Sequence, residues 1–569
     1  MMLRFGLGLT DDKQSPQLEL GEGSVNFFPA SDGQYIENYA GRTDLFRRSG
    51  GPALPAGVGT PPSTATDITR LATFRDGRGK EHIVYVQGDS LYETYGNSFR
   101  LLYTFIGQTY NSKYYPSLFI HEAKLIIVNF GDPILMWDGI KNVHPLGVQE
   151  TPVPPDVKVG QAPGSQLDLA FGVWAWVSWW WSGKRPTNGP GANLGADGTT
   201  KVFGYYDVVT QFFDEYGNKG RVSAPSRTAS VKPRTTYSPP FYGGFGDYDT
   251  LYALTADYYP PMIEDHVAGV IVGRTLNLNP DGGLGGHGVY YQESIRDNCT
   301  YNRITCVMAD STLASGTLID TEVSGPPQAS GGCSWQTRIF LWGLEDQNIV
   351  DYSDAQLFGQ FRGTNRYRAN DHVRAVVPMG DRIAIITRST TEVLYQNEFG
   401  LATLQQDYDN GSIYGRSFVD VGDGSIFGLW NKGFGLFDGV KHTYVATPYF
   451  IKNLYMDDRF YVMSAVKVGD LYLLSVRKDA QSEKNNYLLL YHFPTNRWFL
   501  LSESVYDLCV WKDAILACDD SIYELFKGAF PAAAVAYVKG LVPPDASPLG
   551  QRPLSNLRIL MEPSSTVAF

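Results

Sequence analysis

HVRAVVPMGDRIAIITRSTTEVL (residues 372–394) decides the fold, because its pattern returns three times: GRSFVDVGDGSIFGLWNKGFGLF (415–437), YVMSAVKVGDLYLLSVRKDA followed by YLLLY (461–491) and VYDLCVWKDAILACDDSIYEL (505–525). Each copy reads as an apolar strand, a two-residue turn ending in Asp, a second apolar strand, a polar turn and a third strand. The turns are Gly380-Asp381, Gly422-Asp423, Gly469-Asp470 and Lys512-Asp513, and their aspartates follow at intervals of 42, 47 and 43 residues. A near-constant period in the forties, filled with short β-branched and aromatic strands, predicts a β-propeller in which each repeat is one radial blade. A lone blade has both faces apolar, so blades must stack.

Working outward, 68–105 (with HIVYVQGDSLYETY and LLYTF) and 115–146 (with SLFIHEAKLIIVNFGDPILMWDG) carry the same pattern, and aligning Asp76 and Glu122 with the turn aspartates gives a spacing of 46. From about Thr151 to Gln328 the repeat disappears. In its place stand YYDVVTQFFDEYGNKGRVSAPS (205–226), VAGVIVGRT (267–275), VYYQESI (289–295) and GTLIDTE (316–322). Short alternating strands over this length predict an inserted sandwich of fibronectin type III or immunoglobulin-like type. The blades resume at RIFLWGLEDQNIVDYSD (338–354). The expected chain is therefore all-β, a six- or seven-bladed β-propeller with an inserted β-sandwich. Residues 1–66 are read as an N-terminal arm and loops, 67–150 as the first two blades, 151–328 as the sandwich, 329–527 as the remaining blades and 528–569 as a closing C-terminal strand and tail.

Composition agrees with this class. Among 569 residues, 60 Gly and 33 Pro set turns, while 36 Tyr and 30 Phe suit half-buried pleated surfaces. The net charge of −12 argues against a general nucleic-acid-binding surface, which needs clustered Lys and Arg. A surface that DNA slides past without sticking remains compatible with it. Five cysteines, Cys299, Cys306, Cys333, Cys509 and Cys518, fit no CxxC pattern or regular framework and are read as thiols made in a reducing compartment, with neither disulfide nor metal. The opening MMLRFGLGLTDDKQ is too short in apolar run for a secretory leader, and no stretch of about 18 apolar residues occurs, so stable membrane insertion is not expected.

Tests for chemistry point to a non-enzyme without cofactors. Gly88-Asp89-Ser90-Leu91 spells a hydrolase signature, yet neither His442 nor His492 follows an Asp at the required spacing, and the tetrapeptide falls on a blade turn. There is no Gly-x-Ser-x-Gly elbow, Walker loop or His-Glu-x-x-His helix, and the eight histidines are scattered. Asp407-Tyr408-Asp409-Asn410-Gly411 is one residue short of an EF-hand loop and reads as a polar turn. Two clusters remain. Arg362, Arg366, Arg368 and Arg374 form the densest basic patch, and Trp174, Trp176, Trp179, Trp180 and Trp181 precede a Gly/Pro/Asn loop. The arginines are read as a contact to an acidic patch on a neighbouring subunit, alternatively to DNA phosphate; Trp174, Trp176 and Trp179 are read as a strand packing in the sandwich or at a subunit interface, the cluster alternatively as a sugar-stacking platform or a membrane-interface anchor.

The order of these segments resembles the tail nozzle proteins of short-tailed bacteriophages, also known as tail tubular protein B or packaged-DNA stabilisation protein. The carriers are the paired blades before the insert, YYDVVTQFFDEYGNKGRVSAPS, the VIVGRT, YYQES and LIDTE series, and RIFLWGLEDQNIVDYSD leading into DHVRAVVPMGDRIAIITRSTTEVLYQNEFG. The similarity spans roughly residues 20–527 and is one of order and spacing; the short C-terminal tail and the Trp-rich insert depart from the larger members. The resemblance implies a homohexameric tube in the virion tail, assembled in the bacterial cytoplasm, below the portal and adaptor and above tail fibres or distal tail proteins. Such a tube retains packaged double-stranded DNA, without sequence specificity, and conducts it during ejection. Six copies carry about −72, which repels phosphate and lets DNA slide. Retention is then steric, and the candidate gate loops are 182–198, with Lys184 and Arg185, and 237–248, with Tyr237, Phe241, Tyr242 and Phe245. Trp179, Trp180, Trp181, Arg362, Arg366 and Arg368 are the candidate subunit contacts. The competing readings are a carbohydrate-binding propeller or adhesin of the virion tail and, third, a propeller hydrolase.

Overall fold

The computed structural model describes residues 67–161, 204–231 and 252–526, with short breaks, and five short strands between residues 6 and 44. The chain divides into two compact units, one comprising Met1–Val143, Pro327–Tyr352 and Arg366–Phe569, the other His144–Pro326 and Ser353–Asn365.

The first unit is a β-propeller built of antiparallel sheets met in chain order. The first is Ile68–Arg75, Glu81–Gln87, Ser90–Tyr95 and Ser98–Thr104; the second includes Ser117–His121, Lys124–Val128 and Leu135–Trp137. The third includes Gly331–Trp335, Arg338–Trp342 and Ile349–Ser353, and the fourth is Val373–Met379, Arg382–Thr387, Thr391–Asn397 and Gly400–Asp407. Then follow Val419–Gly422, Ser425–Trp430, Gly433–Phe437 and His442–Tyr444, and after them Tyr461–Val468, Leu471–Arg477, Tyr487–His492 and Arg497–Leu501. The last sheet holds Asp507–Trp511, Ala514–Cys518 and Ile522–Leu525, with Arg42–Asp44 as its fourth strand. The first-named strands of successive sheets neighbour one another, and Asp507–Trp511 returns to Ile68–Arg75, closing the ring.

Burial on both faces of each sheet explains the continuous apolar runs. In RIAIIT, Ile383 and Ile385 pack with Phe340 and Val350 of the third sheet, while Ala384 and Ile386 pack with Ile426, Trp430 and Phe437 of the fifth. Side chains alternate with period two, yet both faces meet a neighbour, so alternation of polarity is lost. The same logic joins the first sheet to the second through Val84, Leu91, Leu125 and Trp137. It joins the last to the first through Leu516, Ile522, Ile68 and Tyr85. Each of the buried indoles Trp137, Trp335, Trp430 and Trp498 donates its N–H to a backbone carbonyl, of Lys141, Gly380, Gly435 and Ala446 respectively, so these large apolar side chains are buried without an orphaned donor.

The turns obey hairpin chemistry. Met379 pairs with Arg382 and Val468 with Leu471, leaving two-residue loops whose first residues, Gly380 (φ 64°) and Gly469 (φ 53°), lie in the left-handed region. That region matches strand twist and favours glycine. The segment 528–569, expected to supply a closing strand, lies outside the described residues. The fourth place in the last sheet is held instead by Arg42–Asp44, in register Tyr523↔Asp44, Glu524↔Thr43 and Leu525↔Arg42. A second N-terminal strand, Gly6–Leu9, pairs antiparallel with Arg497–Leu501 at Leu9↔Trp498. The arm thus contributes ladder hydrogen bonds that cover two sheet edges.

Between the second and third sheets, buried His121 places Nδ1 2.8 Å from Ser334 Oγ. Burial holds the His121 imidazole below its ordinary value, so its contribution is fully present above the unfolded-state value and is lost as pH falls from there through the lower folded-state value. On acidification below about pH 6.5 the wild-type unfolding midpoint is expected to fall. His121→Gln keeps a hydrogen-bonding amide there and flattens that part of the pH profile, as urea titrations at successive pH values measure.

The second unit contains a four-stranded sheet, Lys219–Val222, Val208–Asp214, Val267–Arg274 and Tyr291–Arg296, and a three-stranded one, Asp156–Gln161, Tyr252–Asp257 and Arg303–Cys306. Val208, Phe212, Val270 and Val272 of the first share a core with Leu254, Ala256, Ile304 and Cys306 of the second. The turn after Val208–Asp214 is an Asx turn: Asp214 accepts the N–H groups of Tyr216 and Asn218, with Gly217 at φ 83°. Beyond Val222, Pro225 interrupts regular pairing. Ser223 and Ser226 compensate, donating their backbone N–H groups to Thr210 and Val208 while their hydroxyls accept the N–H groups of the same two residues.

Candidate functional site

Where the inner strands of the propeller begin, a cleft of about 550 Å³ opens. It is lined by Ser117 from the second sheet, Ser330, Trp342 and Gln347 around the third, Arg374 from the fourth, and Arg416 from the one-turn 3-10 helix Gly415–Ser417 that leads into the fifth. Close backbone packing shapes it. A Cβ on Gly415 would lie 2.1 Å from the Arg374 carbonyl oxygen, so only glycine lets these two segments touch. Gly331 plays the same part under Trp342, whose indole carbon Cε2 would lie 2.6 Å from an added Cβ. The floor is tied by Ser330 N–H donating to the Trp342 carbonyl (3.0 Å) and Val373 N–H donating to the Gln347 carbonyl (2.9 Å).

Arg374 is exposed, and among the described residues no carboxylate is paired with it. The other arginines of its sequence cluster are differently placed. Arg366 forms a two-pronged pair with Asp351, Nε to Oδ1 at 2.7 Å and Nη2 to Oδ2 at 3.0 Å. Arg362 donates Nε to both oxygens of Asp354 (3.0 and 2.8 Å) and Nη1 to Asp320. Arg368, with its side chain 72% exposed, reaches Asp346 at 3.2 Å. Carboxylates of the same chain hold Arg362, Arg366 and Arg368, and Arg374 lines the cleft. Trp179, Trp180, Trp181, Lys184, Arg185, Tyr237, Phe241, Tyr242 and Phe245 lie outside the described residues.

Sequence reasoning missed the cleft because its residues come from four parts of the chain. One signal did exist: Arg374 precedes turn residue Asp381 by seven positions, and Arg416 precedes Asp423 by the same seven. In the structure Arg374 lies on strand Val373–Met379 and Arg416 in the 3-10 helix Gly415–Ser417, ahead of a turn at Asp423-Gly424 rather than Gly422-Asp423.

The hydrolase-like tetrapeptide sits as expected on a turn, between Glu81–Gln87 and Ser90–Tyr95. Ser90 Oγ donates to Asp89 Oδ1 (3.1 Å) and meets Thr104 Oγ1 at 3.5 Å, with no imidazole among its partners. The most enzyme-like constellation among the described residues, His82 between Glu93 (2.7 Å) and Asp76 (3.3 Å), is buried in the first sheet. The ring stacks on Phe74, and a Cβ on Gly139 would lie 2.7 Å from His82 Nε2. No substrate atom can reach it, so it acts as a buried polar staple. Burial also pushes the Cys306, Cys509 and Cys518 thiols upward, away from the thiolate form that nucleophilic chemistry needs.

No family model matches the chain. No curated protein matches it either. Solved structures that align with the chain include BamB from Moraxella catarrhalis, at 7% identity and TM-score 0.23, over 48% of this chain and 82% of that one. The extracellular domain of a putative hybrid two-component system from B. thetaiotaomicron aligns at 8% identity and TM-score 0.24, over 86% and 82%. Apo AztD from Citrobacter koseri aligns at 12% and 0.21, over 56% and 89%. Overlap this shallow carries nothing about substrate, partner or activity.

Proposed function

We propose that this chain is a structural subunit of a short phage tail, a tail nozzle protein whose six copies form a conduit that retains and then conducts packaged DNA. The observation that carries the reading is the order of parts: two propeller sheets, a separate compact β unit, then the remaining sheets, with N-terminal strands laid on outer edges. In finer terms the ring is seven-bladed, counting the sheets among the described residues, and the second unit, with two sheets around one core, is a sandwich of fibronectin or immunoglobulin-like type. Edge strands and arms of this kind are the material from which head-to-tail contacts close into rings. The net charge of −12 per chain favours a lumen that does not hold phosphate. Among the described residues no helix is long and apolar enough to cross a membrane.

DNA retention tests the proposal. Particles of the encoding phage assembled without this chain are expected to package DNA and then lose it, whereas those supplied with the chain stay filled. Equal retention with and without it would rule out the retaining role.

A further inference from the structure

We propose that the sector formed by the fourth and fifth sheets is a contact surface for a second copy of this chain, the acidic end of the sector in one copy seating on the basic end in the next. At the start of the inner strands Arg374, Arg388 and Lys432 are exposed. Backbone bonds hold their positions together: the Arg388 N–H donates to the His372 carbonyl (3.0 Å), and the Asn431 side-chain amide donates to the Arg388 carbonyl (2.8 Å). Among the described residues none of these three cations is in an ion pair. Arg388 acts on Asp371, whose carboxylate already accepts the Ser389 hydroxyl and the His372 N–H, both at 2.7 Å. At the other end of the same strands the loops Gly380-Asp381 and Asp423-Gly424 abut, since a Cβ on Gly380 would lie 3.9 Å from the Gly424 Cα. Asp381, its side chain 89% exposed, is joined there by the exposed Asp420, Asp423 and Asp438. Lys441 and Arg382 offset part of this charge, and Arg382 is taken up by Asp381 (3.4 Å) and the Asp438 carbonyl (3.4 Å).

Distance decides what these charges can do. Arg374 and Asp381 stand near opposite ends of Val373–Met379, and Asp423 and Lys432 near opposite ends of Ser425–Trp430. Strands of that length hold them about 20 Å apart, about twice the screening length in 0.1 M salt. The two ends therefore do not neutralise each other within one copy, whereas between copies they meet at contact distance. A contact of unlike ends is heterologous, the kind that closes into rings, and like ends repel. A nucleic acid fits the basic end less well, because three cations are few counter-charges to set against a chain of net charge −12. The inference concerns how copies meet and stands apart from the conduit reading, since tubes can also be built through other surfaces.

Sedimentation velocity on the full chain tests it, at about 20 mM and about 500 mM salt, where the screening length falls from about 20 Å to about 4 Å. Wild type is expected to self-associate at low salt and to lose roughly ten-fold or more in affinity at high salt. R374E/K432E makes the basic end acidic, and D381K/D423K makes the acidic end basic. Each should weaken self-association roughly ten-fold or more, because like charges then face each other. Unfolding midpoints of both variants should match wild type, since all four residues are exposed. Lysine also suits Asp423, whose left-handed backbone (φ 52°) Lys512 shares at φ 57°. An equimolar mixture of the two variants should associate as tightly as wild type, because the unaltered acidic end of the first meets the unaltered basic end of the second. Wild-type association that ignores salt, a dissociation constant above about 100 μM at low salt, or a mixture no tighter than either variant alone would overturn the inference. So would R374E/K432E losing the binding of a short DNA duplex while self-associating like wild type, which would assign the basic end to nucleic acid.

Discussion

Asp507→Ala is expected to remove about 3–5 kcal/mol of stability, the range for breaking one side of a buried ion pair. Asp507 opens the inner strand of the last sheet, where the ring closes on the first. Its Oδ2 accepts the Leu71 N–H at 2.9 Å, and its Oδ1 lies 3.9 Å from Arg70 Nη1. Arg70 in turn donates Nε to the Pro116 carbonyl (2.9 Å) at the entry to the second sheet. Ser464 of the sixth sheet accepts the Leu508 N–H. One carboxylate therefore ties sheets whose chain separation exceeds 400 residues. Alanine removes the carboxylate beside the buried Arg70 guanidinium and the acceptor of the Leu71 N–H. Urea unfolding measures the loss, and a midpoint within error of wild type would show that the junction is held by apolar packing alone. Replacing both partners, R70M/D507L, should recover most of it, because a buried pair repays its desolvation only partly.

The pH dependence at this junction has a definite sign. Burial raises the Asp507 carboxyl above its ordinary value, so the folded state holds this proton more tightly than the unfolded one. Its contribution is full below the unfolded value, about 3.9, and is lost as pH rises through the folded value. Asp507→Asn lacks that slope, and its stability difference from wild type should shrink as pH increases.

Arg274→Met is expected to cost a comparable amount, confined to the second unit. The Arg274 side chain is fully buried and satisfied on every side. Nε meets Glu293 at 2.9 Å, Nη1 meets Asp310 at 2.7 Å and the Thr275 carbonyl at 3.1 Å, and Nη2 donates to the Met308 carbonyl. The guanidinium lies 4.7 Å from the Tyr206 ring centre. Methionine fills the volume but takes the guanidinium counter-charge away from the buried Glu293 carboxylate, which still accepts the Met308 N–H, a loss of about 3–5 kcal/mol. In calorimetry the transition of the second unit should fall by on the order of 10 °C while that of the propeller stays in place. Asp507→Ala should do the reverse. A variant that moved both transitions together would show that the two units unfold as one.

The strands of the propeller were legible where both faces are buried and the apolar run is unbroken, as in LIIV (125–128), RIAIIT (382–387) and LYLLSVR (471–477). Turn chemistry at Gly380 and Gly469 fixed their ends. The fourth strands of the fourth and fifth sheets were not legible. Gly400–Asp407 reads GLATLQQD and His442–Tyr444 reads HTY, both too polar or too short to stand out. Arg42–Asp44 is three polar residues whose strand character comes entirely from a partner near residue 523. Pairing over that separation is a tertiary fact that local propensity does not encode. The partners of the arginine cluster were not legible for the same reason: Asp351 and Asp354 reach it only once strand register is known.

Electron cryo-microscopy of the purified chain, alone and mixed with virion tail components, tests the conduit account most directly. The account predicts six-fold tubes, each subunit carrying a seven-bladed ring closed by residues 42–44, around a bore wide enough for duplex DNA. A chain that stays monomeric and fails to enter tails, or a ring whose bore cannot pass a duplex, would contradict it.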